Sequence, residues 1–233
     1  MSEQLVLPFY VLADVSYSMT LQPQDGVTPL ETLNQLVRHL KDALDENPML
    51  SDKVRFSLVD FSDDAQVQIP LCDLLRIDST TIPVLKARGG TSFAAAFRTT
   101  RKQLDSDVRQ LKADGHRVHR PVLFFLTDGE PTDADGEWQI AWAELTDHGF
   151  VARPNIIPFG IAQAKKEVLD QIVYPAGKMR SFVAADGVDP SDAIRSMAEV
   201  LVGSIVASAN SVAADGSSGG FVLEDPDEDD TWI

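Results

Sequence analysis

The sequence predicts an α/β fold in which a doubly wound, mostly parallel sheet carries helices on both faces. Near-continuous apolar runs recur at residues 5–13, 121–126 and 155–161, and such runs are typical of parallel strands buried on both faces. Between them lie segments whose apolar residues recur at helical spacing. Because strands and helices exchange so regularly, we expect an open sheet wound in both directions.

Three long helices are predicted between and after these strands. The first begins at the capping box Thr28-Pro29-Leu30-Glu31, where proline stands at the first helical position. The second begins near Ser92 and runs to the stop at Gly115, and the last begins at Asp189-Pro190. The apolar stripes of all three helices are expected to lie in the core.

Weaker patterns predict the remaining elements. Residues 54–61 alternate like a strand, residues 65–69 are expected to pair with them as a short edge hairpin, and residues 180–184 are expected to close the sheet at an edge. Short helices are predicted at residues 138–145 and 165–172.

Length and composition predict one domain followed by a tail. The chain of 233 residues is 44% hydrophobic and can hold one sizeable core, which we assign to a domain at residues 1–207. Residues 208–220 are mainly small and polar, and six carboxylates follow in the last ten positions. We therefore predict a flexible linker and an acidic C-terminal tail over residues 208–233.

The tail also carries apolar residues at both ends of its acidic run. They favour a peptide that docks on a basic surface of a partner or of a neighbouring copy, with simple solubilisation as the alternative. These residues are Phe221, Val222, Leu223, Trp232 and Ile233.

The net charge and the cysteine content limit the classes of partner and the cellular compartment that we expect for this protein. A formal net charge of −16 argues against nucleic-acid binding and favours cations or basic protein partners. No run approaches the roughly 18 apolar residues of a membrane helix, and residues 1–4 lack the positive start of a signal peptide. The single Cys72 forms no internal disulfide, as in proteins of a reducing compartment. We therefore expect a cytoplasmic protein without membrane contact.

A cluster of side-chain oxygens stands at the end of the first predicted strand. Asp14, Ser16 and Ser18 alternate where the strand passes into a loop, so their oxygens can converge on one point. Such clusters suit hard divalent cations, and Mg²⁺ takes about six oxygen ligands, several of them usually water. The alternative is a capped loop, since Asp and Ser are common in turns.

Two later segments carry groups of the same chemistry. Arg88-Gly89-Gly90-Thr91-Ser92 is a glycine turn followed by a hydroxyl pair, and Phe124-Phe125-Leu126-Thr127-Asp128-Gly129-Glu130 is a buried strand ending in an acidic turn. With these segments the chain resembles the von Willebrand factor A (VWA) family, whose metal-ion-dependent adhesion site (MIDAS) reads Asp-x-Ser-x-Ser, then a distant Thr, then a distant Asp. The motif falls on Asp14, Ser16, Ser18, Thr91 and Asp128.

The resemblance spans residues 5–205 and implies a VWA-like fold with a site that binds and does not break bonds. The three hydroxyls would ligate the cation directly, and Asp14 and Asp128 would hold it largely through water. A remaining position would accept an Asp or Glu of a partner protein. We expect Mg²⁺ at this site, with Mn²⁺ and Ca²⁺ as alternatives. Glu130 and Asp133 are expected either to tune the rim of the site or to be solvated turn acids.

No catalytic arrangement accompanies the cluster. A dehalogenase-type phosphatase would show Asp-x-Asp at the strand end, but position 16 is Ser, and no Gly-x-x-x-x-Gly-Lys phosphate loop occurs. The histidines show no paired ligand spacing; they are His39, His116, His119 and His148. We therefore expect that the protein is not an enzyme, with a metal-dependent phosphoester hydrolase as the least favoured alternative.

A narrower resemblance concerns the layout of the chain. It is similar to bacterial TerY-like proteins of tellurite-resistance and stress operons, which are linked with protein kinase and phosphatase partners. We therefore expect a metal-dependent scaffold or adaptor in such a system. The alternative is a VWA subunit of a metal-chelatase or AAA-ATPase assembly, for which a fused ATPase segment or an Arg/Glu-rich insertion would be expected; the sequence shows neither.

Overall fold

The computed structural model describes residues 4–21, 26–46, 53–215, 221–224 and 231–232. Seven strands form one sheet within these ranges. They are β1 (Leu5–Asp14), β2 (Val54–Phe61), β3 (Ala65–Cys72), β4 (Arg117–Val118), β5 (Val122–Thr127), β6 (Asn155–Gly160) and β7 (Phe182–Val183).

The strand order is β3-β2-β1-β5-β6-β7, and β4 pairs with β1 beside this path. Every pairing is parallel except that of β2 with β3. The chain winds from β1 toward β2 and β3 on one side and toward β5, β6 and β7 on the other. The predicted doubly wound, mostly parallel sheet is therefore confirmed.

In the described ranges, five α-helices cover the two faces of the sheet. They are α1 (Pro29–Asp45), α2 (Phe93–Ala113), α3 (Glu137–Thr146), α4 (Lys166–Ile172) and α5 (Pro190–Asp215). Buried residues of α1 and α5 share one hydrophobic cluster, and those of α2, α3 and α4 share the other. Alternate residues of β1 contribute to the two clusters, which explains why this strand reads as a continuous apolar run.

The start of α1 shows how closely local sequence specifies local structure. The Thr28 hydroxyl accepts a hydrogen bond from the Glu31 backbone N–H at 3.2 Å, and the Glu31 carboxylate accepts one from the Thr28 N–H at 2.8 Å. Both halves of the predicted capping box are thus present.

Pairings at the sheet edges depart from the sequence prediction. The hairpin strand β3 extends to Cys72 instead of ending near residue 69, and the predicted strand at residues 180–184 is reduced to Phe182–Val183. The short β4 was not predicted, because two residues are too few to show any periodicity. Within the described residues, none of the helices is long and apolar enough to cross a membrane.

The linker predicted from residue 208 is wrong for residues 208–215, which continue α5. Two serine hydroxyls of α5 bind the returning chain: the Val222 N–H donates to the Ser208 hydroxyl at 2.9 Å, and the Glu224 N–H donates to the Ser204 hydroxyl at 2.9 Å. A Cβ atom added at Gly203 would lie 1.4 Å from a carboxylate oxygen of Glu224, so a side chain at this position would displace the Glu224 carboxylate.

The apolar residues of the tail that the structure describes pack mainly against the domain itself. Phe221 contacts Phe9, with ring centroids 6.1 Å apart, and Trp232 contacts Phe159 at 5.4 Å. Trp232 also donates its indole N–H to the Ser196 hydroxyl at 2.9 Å and bridges to Ala184 beyond the edge strand β7. Phe221, Leu223 and Trp232 thus pack against the core of their own chain, and docking of the tail on a partner or another copy stays a prediction.

Other parts of that prediction lie outside the described residues. These are the remainder of the predicted linker at residues 216–220, the acidic positions 225–230 and Ile233.

We predict that Trp232→Ala lowers the free energy of unfolding by roughly 2 kcal/mol, because removing a partly buried aromatic ring leaves a cavity beside Phe159 and Phe182. Urea unfolding monitored by circular dichroism measures the change. Val84→Ala is the control, since Val84 is 63% exposed and its truncation should change stability by less than about 0.5 kcal/mol. Equal stability of the Trp232 variant and the control would contradict the packing described.

Candidate metal centre

The predicted ligands lie in three loops at the carboxyl end of the sheet. Asp14 is the last residue of β1, and Ser16 and Ser18 follow it at a short 3-10 turn, Tyr17–Thr20. Asp128 directly follows β5, and Thr91 lies just before α2. Because β1 and β5 are neighbours, with Ala13 paired to Leu126, the residues after them meet at one edge.

Two of these side chains, Ser16 and Ser18, converge on one oxygen atom of a third, Asp128. The Ser18 hydroxyl donates to Asp128 Oδ1 at 2.9 Å, and the Ser16 hydroxyl approaches the same oxygen at 3.4 Å. The two hydroxyl oxygens are 2.9 Å apart. The structure therefore brings together the serine pair and the distant aspartate that the motif required.

Asp14 is held from two sides beneath this group. Its Oδ1 accepts the Ser16 backbone N–H at 2.8 Å, and its Oδ2 accepts the Thr127 hydroxyl at 2.7 Å. The side chain is fully buried. Sequence reasoning missed the role of Thr127, although its place directly before Asp128 at the end of the neighbouring strand is a signal that could have found it.

Thr91 is placed mainly by its backbone. Its N–H donates to the Thr132 hydroxyl at 3.1 Å, and its carbonyl accepts the Thr132 N–H at 2.9 Å. The Arg88 N–H donates to the Val15 carbonyl at 2.8 Å, which joins the Thr91 loop to the loop after β1. Thr91 is buried, and among the described residues its hydroxyl makes no hydrogen bond to the other four predicted ligands.

Asp133 fastens the loop after β5 to the start of α2. Its carboxylate accepts the Ser92 hydroxyl at 2.6 Å and the Phe93 N–H at 2.8 Å. This negative charge sits where the first N–H groups of a helix lack partners. Asp133 is therefore neither a rim residue nor a solvated acid but a cap that fixes the segment carrying Thr91. Glu130, in contrast, is about half exposed and pairs with Lys165 at 2.7 Å.

A buried ion pair supports the Thr91 loop from the opposite side. The Arg88 guanidinium forms two hydrogen bonds with Asp60, at 2.7 and 2.9 Å, and the Asp60 side chain is 1% exposed. The Gly90 N–H donates to Asp63 at 2.8 Å. Gly89 has a φ of +54°, and a Cβ there would lie 2.3 Å from an Asp63 oxygen, so only glycine fits the turn.

The electrostatics of the site favour a cation. Burial raises the pKa of Asp14 to about 6, and the negative charge of Asp128 adds to that rise, while hydrogen bonds from Ser16 and Thr127 lower the pKa. Burial also raises the pKa of Asp128. A divalent cation beside both carboxylates would favour their ionised forms.

The donor set fits a hard cation. Among the described residues, no three His, Cys, Asp or Glu side chains lie close enough to hold a metal by themselves. A metal at this site would therefore depend on the serine and threonine hydroxyls together with the two carboxylates. Oxygen donors of this kind suit Mg²⁺, Mn²⁺ or Ca²⁺.

Comparison with known proteins agrees with this geometry. The family model described as "von Willebrand factor type A domain" matches residues 9–130, more than half of the chain. The chain belongs to the VWA domain family. The match includes all five motif positions of this VWA domain. No curated protein matches the chain.

Solved structures with the same fold share little sequence with this VWA domain. A von Willebrand factor type A protein from Catenulispora acidiphila is 18% identical, with a TM-score of 0.60 over 88% of this chain and 43% of the other. The pilus adhesin SpaC from Lactobacillus rhamnosus GG is 15% identical, with a TM-score of 0.63 over 89% and 31%. Proximal thread matrix protein 1 from the mussel byssus, solved "with zinc occupied MIDAS motif", is 17% identical, with a TM-score of 0.56 over 88% and 48%.

These likenesses concern the fold alone. The chain spans less than half the length of each of the three proteins. Their activities and partners therefore do not transfer with the fold.

We predict that Asp14→Asn stabilises the metal-free protein at pH 7.5 by roughly 1–3 kcal/mol, because one unit of pKa shift corresponds to about 1.4 kcal/mol. The folded-state pKa lies above that of the unfolded chain, so ionised Asp14 destabilises the fold. This destabilisation is absent below about pH 4 and develops as the pH rises through about 6.

Urea unfolding of both proteins at pH 7.5 and pH 4 measures the effect. The stability difference should be present at the higher pH and shrink at the lower one. A wild-type protein that is more stable than the variant at pH 7.5 without metal would contradict the electrostatic assignment.

We further predict that Asp133→Ala weakens Mg²⁺ binding by about ten-fold, because groups that orient metal ligands typically affect affinity on this scale. The loss of the cap should also cost about 1 kcal/mol of stability. Asp135→Ala is the matched control. Asp135 is exposed and lies two residues after Asp133, so this variant removes the same charge without removing a cap. Equal Mg²⁺ affinities of the two variants in calorimetric titration would show that Asp133 does not position the site.

Proposed function

We propose that this VWA domain is a non-enzymatic protein-binding module that depends on a divalent cation. The observation that carries the proposal is the convergence of the Ser16 and Ser18 hydroxyls on Asp128 at the carboxyl ends of β1 and β5. Such a group of oxygens, placed where ligands bind in open α/β sheets, is suited to recognition.

Each residue has a role in this proposal. Ser16, Ser18 and Thr91 hold the cation through neutral hydroxyls, and Asp14 and Asp128 supply the negative charge. When bound, Mg²⁺ supplies a positive charge and an open coordination position. Because three of the ligands are uncharged, that charge remains available for an Asp or Glu side chain of a partner protein.

The surroundings of Asp14 argue against a hydrolase in which this carboxylate is the nucleophile. Its two oxygens are occupied by the Ser16 N–H and the Thr127 hydroxyl, and its side chain is inaccessible to solvent. A nucleophilic carboxylate needs an exposed oxygen aligned with the substrate. Two of the structural neighbours, a pilus adhesin and a thread matrix protein, also favour binding over catalysis.

The choice of cation remains part of the proposal. Mg²⁺ suits the oxygen donors, with Mn²⁺ and Ca²⁺ as alternatives, and the mussel protein was solved with zinc at its motif.

The hypotheses about pathway, larger assembly and cellular location are not part of this proposal. A role in a tellurite-resistance or stress system with kinase or phosphatase partners, as in TerY-like proteins, gains no support from the neighbours described above. The same holds for a chelatase or AAA-ATPase assembly. A cytoplasmic location is likewise a hypothesis, since a pilus adhesin shares the fold.

Titration of the full chain with Mg²⁺, Mn²⁺ and Ca²⁺ tests the first half of the proposal. We predict saturable binding that falls at least ten-fold in Ser18→Ala and Thr91→Ala, because each variant removes a ligand. Ser106→Ala, on the exposed side of α2, is the matched hydroxyl control and should bind as the wild type does.

Affinity capture from extracts of the source organism tests the second half. A protein partner should be retained in Mg²⁺ and lost both in chelator and with the Thr91→Ala bait, whereas the Ser106→Ala bait should retain it. Partner binding that survives chelation, or phosphoester turnover that disappears in Ser16→Ala, would contradict the proposed function.

A further inference from the structure

A concentration of basic residues stands out in this acidic chain. Residues 109–120 contain four Lys or Arg and two His against one Asp, whereas the whole chain has 20 Lys and Arg against 36 Asp and Glu. The six basic positions are Arg109, Lys112, His116, Arg117, His119 and Arg120. An even distribution would place about one Lys or Arg in twelve residues, so this segment differs in character from the rest of the surface.

The basic segment lies at the end of the sheet opposite the candidate metal centre. Helix α2 begins beside Thr91 and ends at Ala113, and its 21 residues correspond to a length of about 30 Å. The chain then passes through β4 to the start of β5. Any function of this region is therefore spatially separate from the metal centre.

Basic side chains from three segments line a cavity of about 180 Å³ here. Lys112 belongs to the last turn of α2, His119 and Arg120 precede β5, and Arg153 precedes β6. The other lining residues are apolar. Three positively charged side chains thus share one small concave surface.

The charges of this cavity are not neutralised within the described part of the chain. Lys112, Arg120 and Arg153 have no carboxylate partner within 4.0 Å there, whereas the nearby Arg109 pairs with Asp105. Arg153 donates one N–H to the His148 carbonyl at 2.8 Å, but its Nε is buried and finds no acceptor among the described atoms. A buried N–H without a partner costs about 1–3 kcal/mol, which an anionic acceptor would recover.

A purely structural explanation accounts for only part of this arrangement. Lys112 lies at the carboxyl end of α2, where the helix dipole favours a positive charge. Arg120 and Arg153 stand before strands, where no helix end favours them.

We propose that this cavity binds a tetrahedral oxyanion group with two negative charges, of the phosphate or sulfate type. Such a group offers enough oxygens for one ammonium and two guanidinium groups, which bind oxyanions through charge-assisted hydrogen bonds. The cavity of about 180 Å³ is too small for a larger ligand, since pockets for drug-sized molecules usually measure about 300–1,000 Å³. The group is either a free ion or a phosphoryl group displayed by a partner molecule.

Titration calorimetry of the full chain with inorganic phosphate and with sulfate tests the proposal, at pH 7.5 and constant ionic strength, without divalent cations. We expect saturable binding that falls at least ten-fold in Arg120→Gln and in Arg153→Gln. Lys102→Gln, an exposed position on α2 outside the cavity, removes the same charge and should bind within two-fold of the wild type. Thr91→Ala should also bind normally, which separates this site from the metal centre.

Two further titrations identify the source of the bound anion and the specificity of the cavity. A phosphoserine peptide that binds at least ten-fold more tightly than phosphate, and more tightly than its unphosphorylated form, indicates a displayed group; equal or weaker binding indicates the free ion. Acetate should bind at least ten-fold more weakly than phosphate.

Circular dichroism and thermal unfolding establish whether each variant is folded. If Arg120→Gln does not fold, Arg120→Lys is the milder substitution to test. The proposal is overturned if phosphate and sulfate do not saturate, if acetate binds as well as they do, or if the folded cavity variants bind as Lys102→Gln does.

Discussion

The parallel pairing of β1 with β5 is the constraint on which the rest of the structure depends. Both strands are buried along nearly their whole length, so hydrophobic burial holds them together and sets their register, in which Ala13 lies opposite Leu126. This register places Asp14 and Asp128 side by side where the strands end. The contacts of Asp14, Ser16 and Ser18 with Thr127 and Asp128 follow from that placement.

The same placement has an electrostatic cost. Burial raises the pKa values of both carboxylates, so without a cation the ionised site opposes folding. Contacts of the surrounding loops offset this unfavourable free energy without using the predicted ligands. Asp133 caps α2, and Arg88 pairs with the buried Asp60. The fold thus holds an unfavourable cluster of oxygens in place, as expected of a preformed binding site.

Helix α2 and the C-terminal segment extend this organisation across the molecule. The helix connects the acidic centre at one end of the sheet to the basic cavity at the other, so one acidic domain presents two surfaces of opposite charge. On the face that carries α1 and α5, Phe221 packs on Phe9 of β1, and Trp232 packs on Phe159 of β6. The tail is therefore part of the domain wherever the structure describes it.

The sequence by itself determined the alternation of strands and helices, the capping box at Thr28, and the strand ends that carry Asp14 and Asp128, because these depend on local periodicity and turn chemistry. Only the tertiary structure decided that Thr127 holds Asp14, that Asp133 caps α2, that three basic segments meet, and that Trp232 packs on its own core. Each of these contacts joins residues far apart in the chain, and Thr127 and Asp14 are 113 positions apart. Local patterns cannot encode such contacts, since they arise only when burial of the apolar strands brings distant loops to the same edge of the sheet.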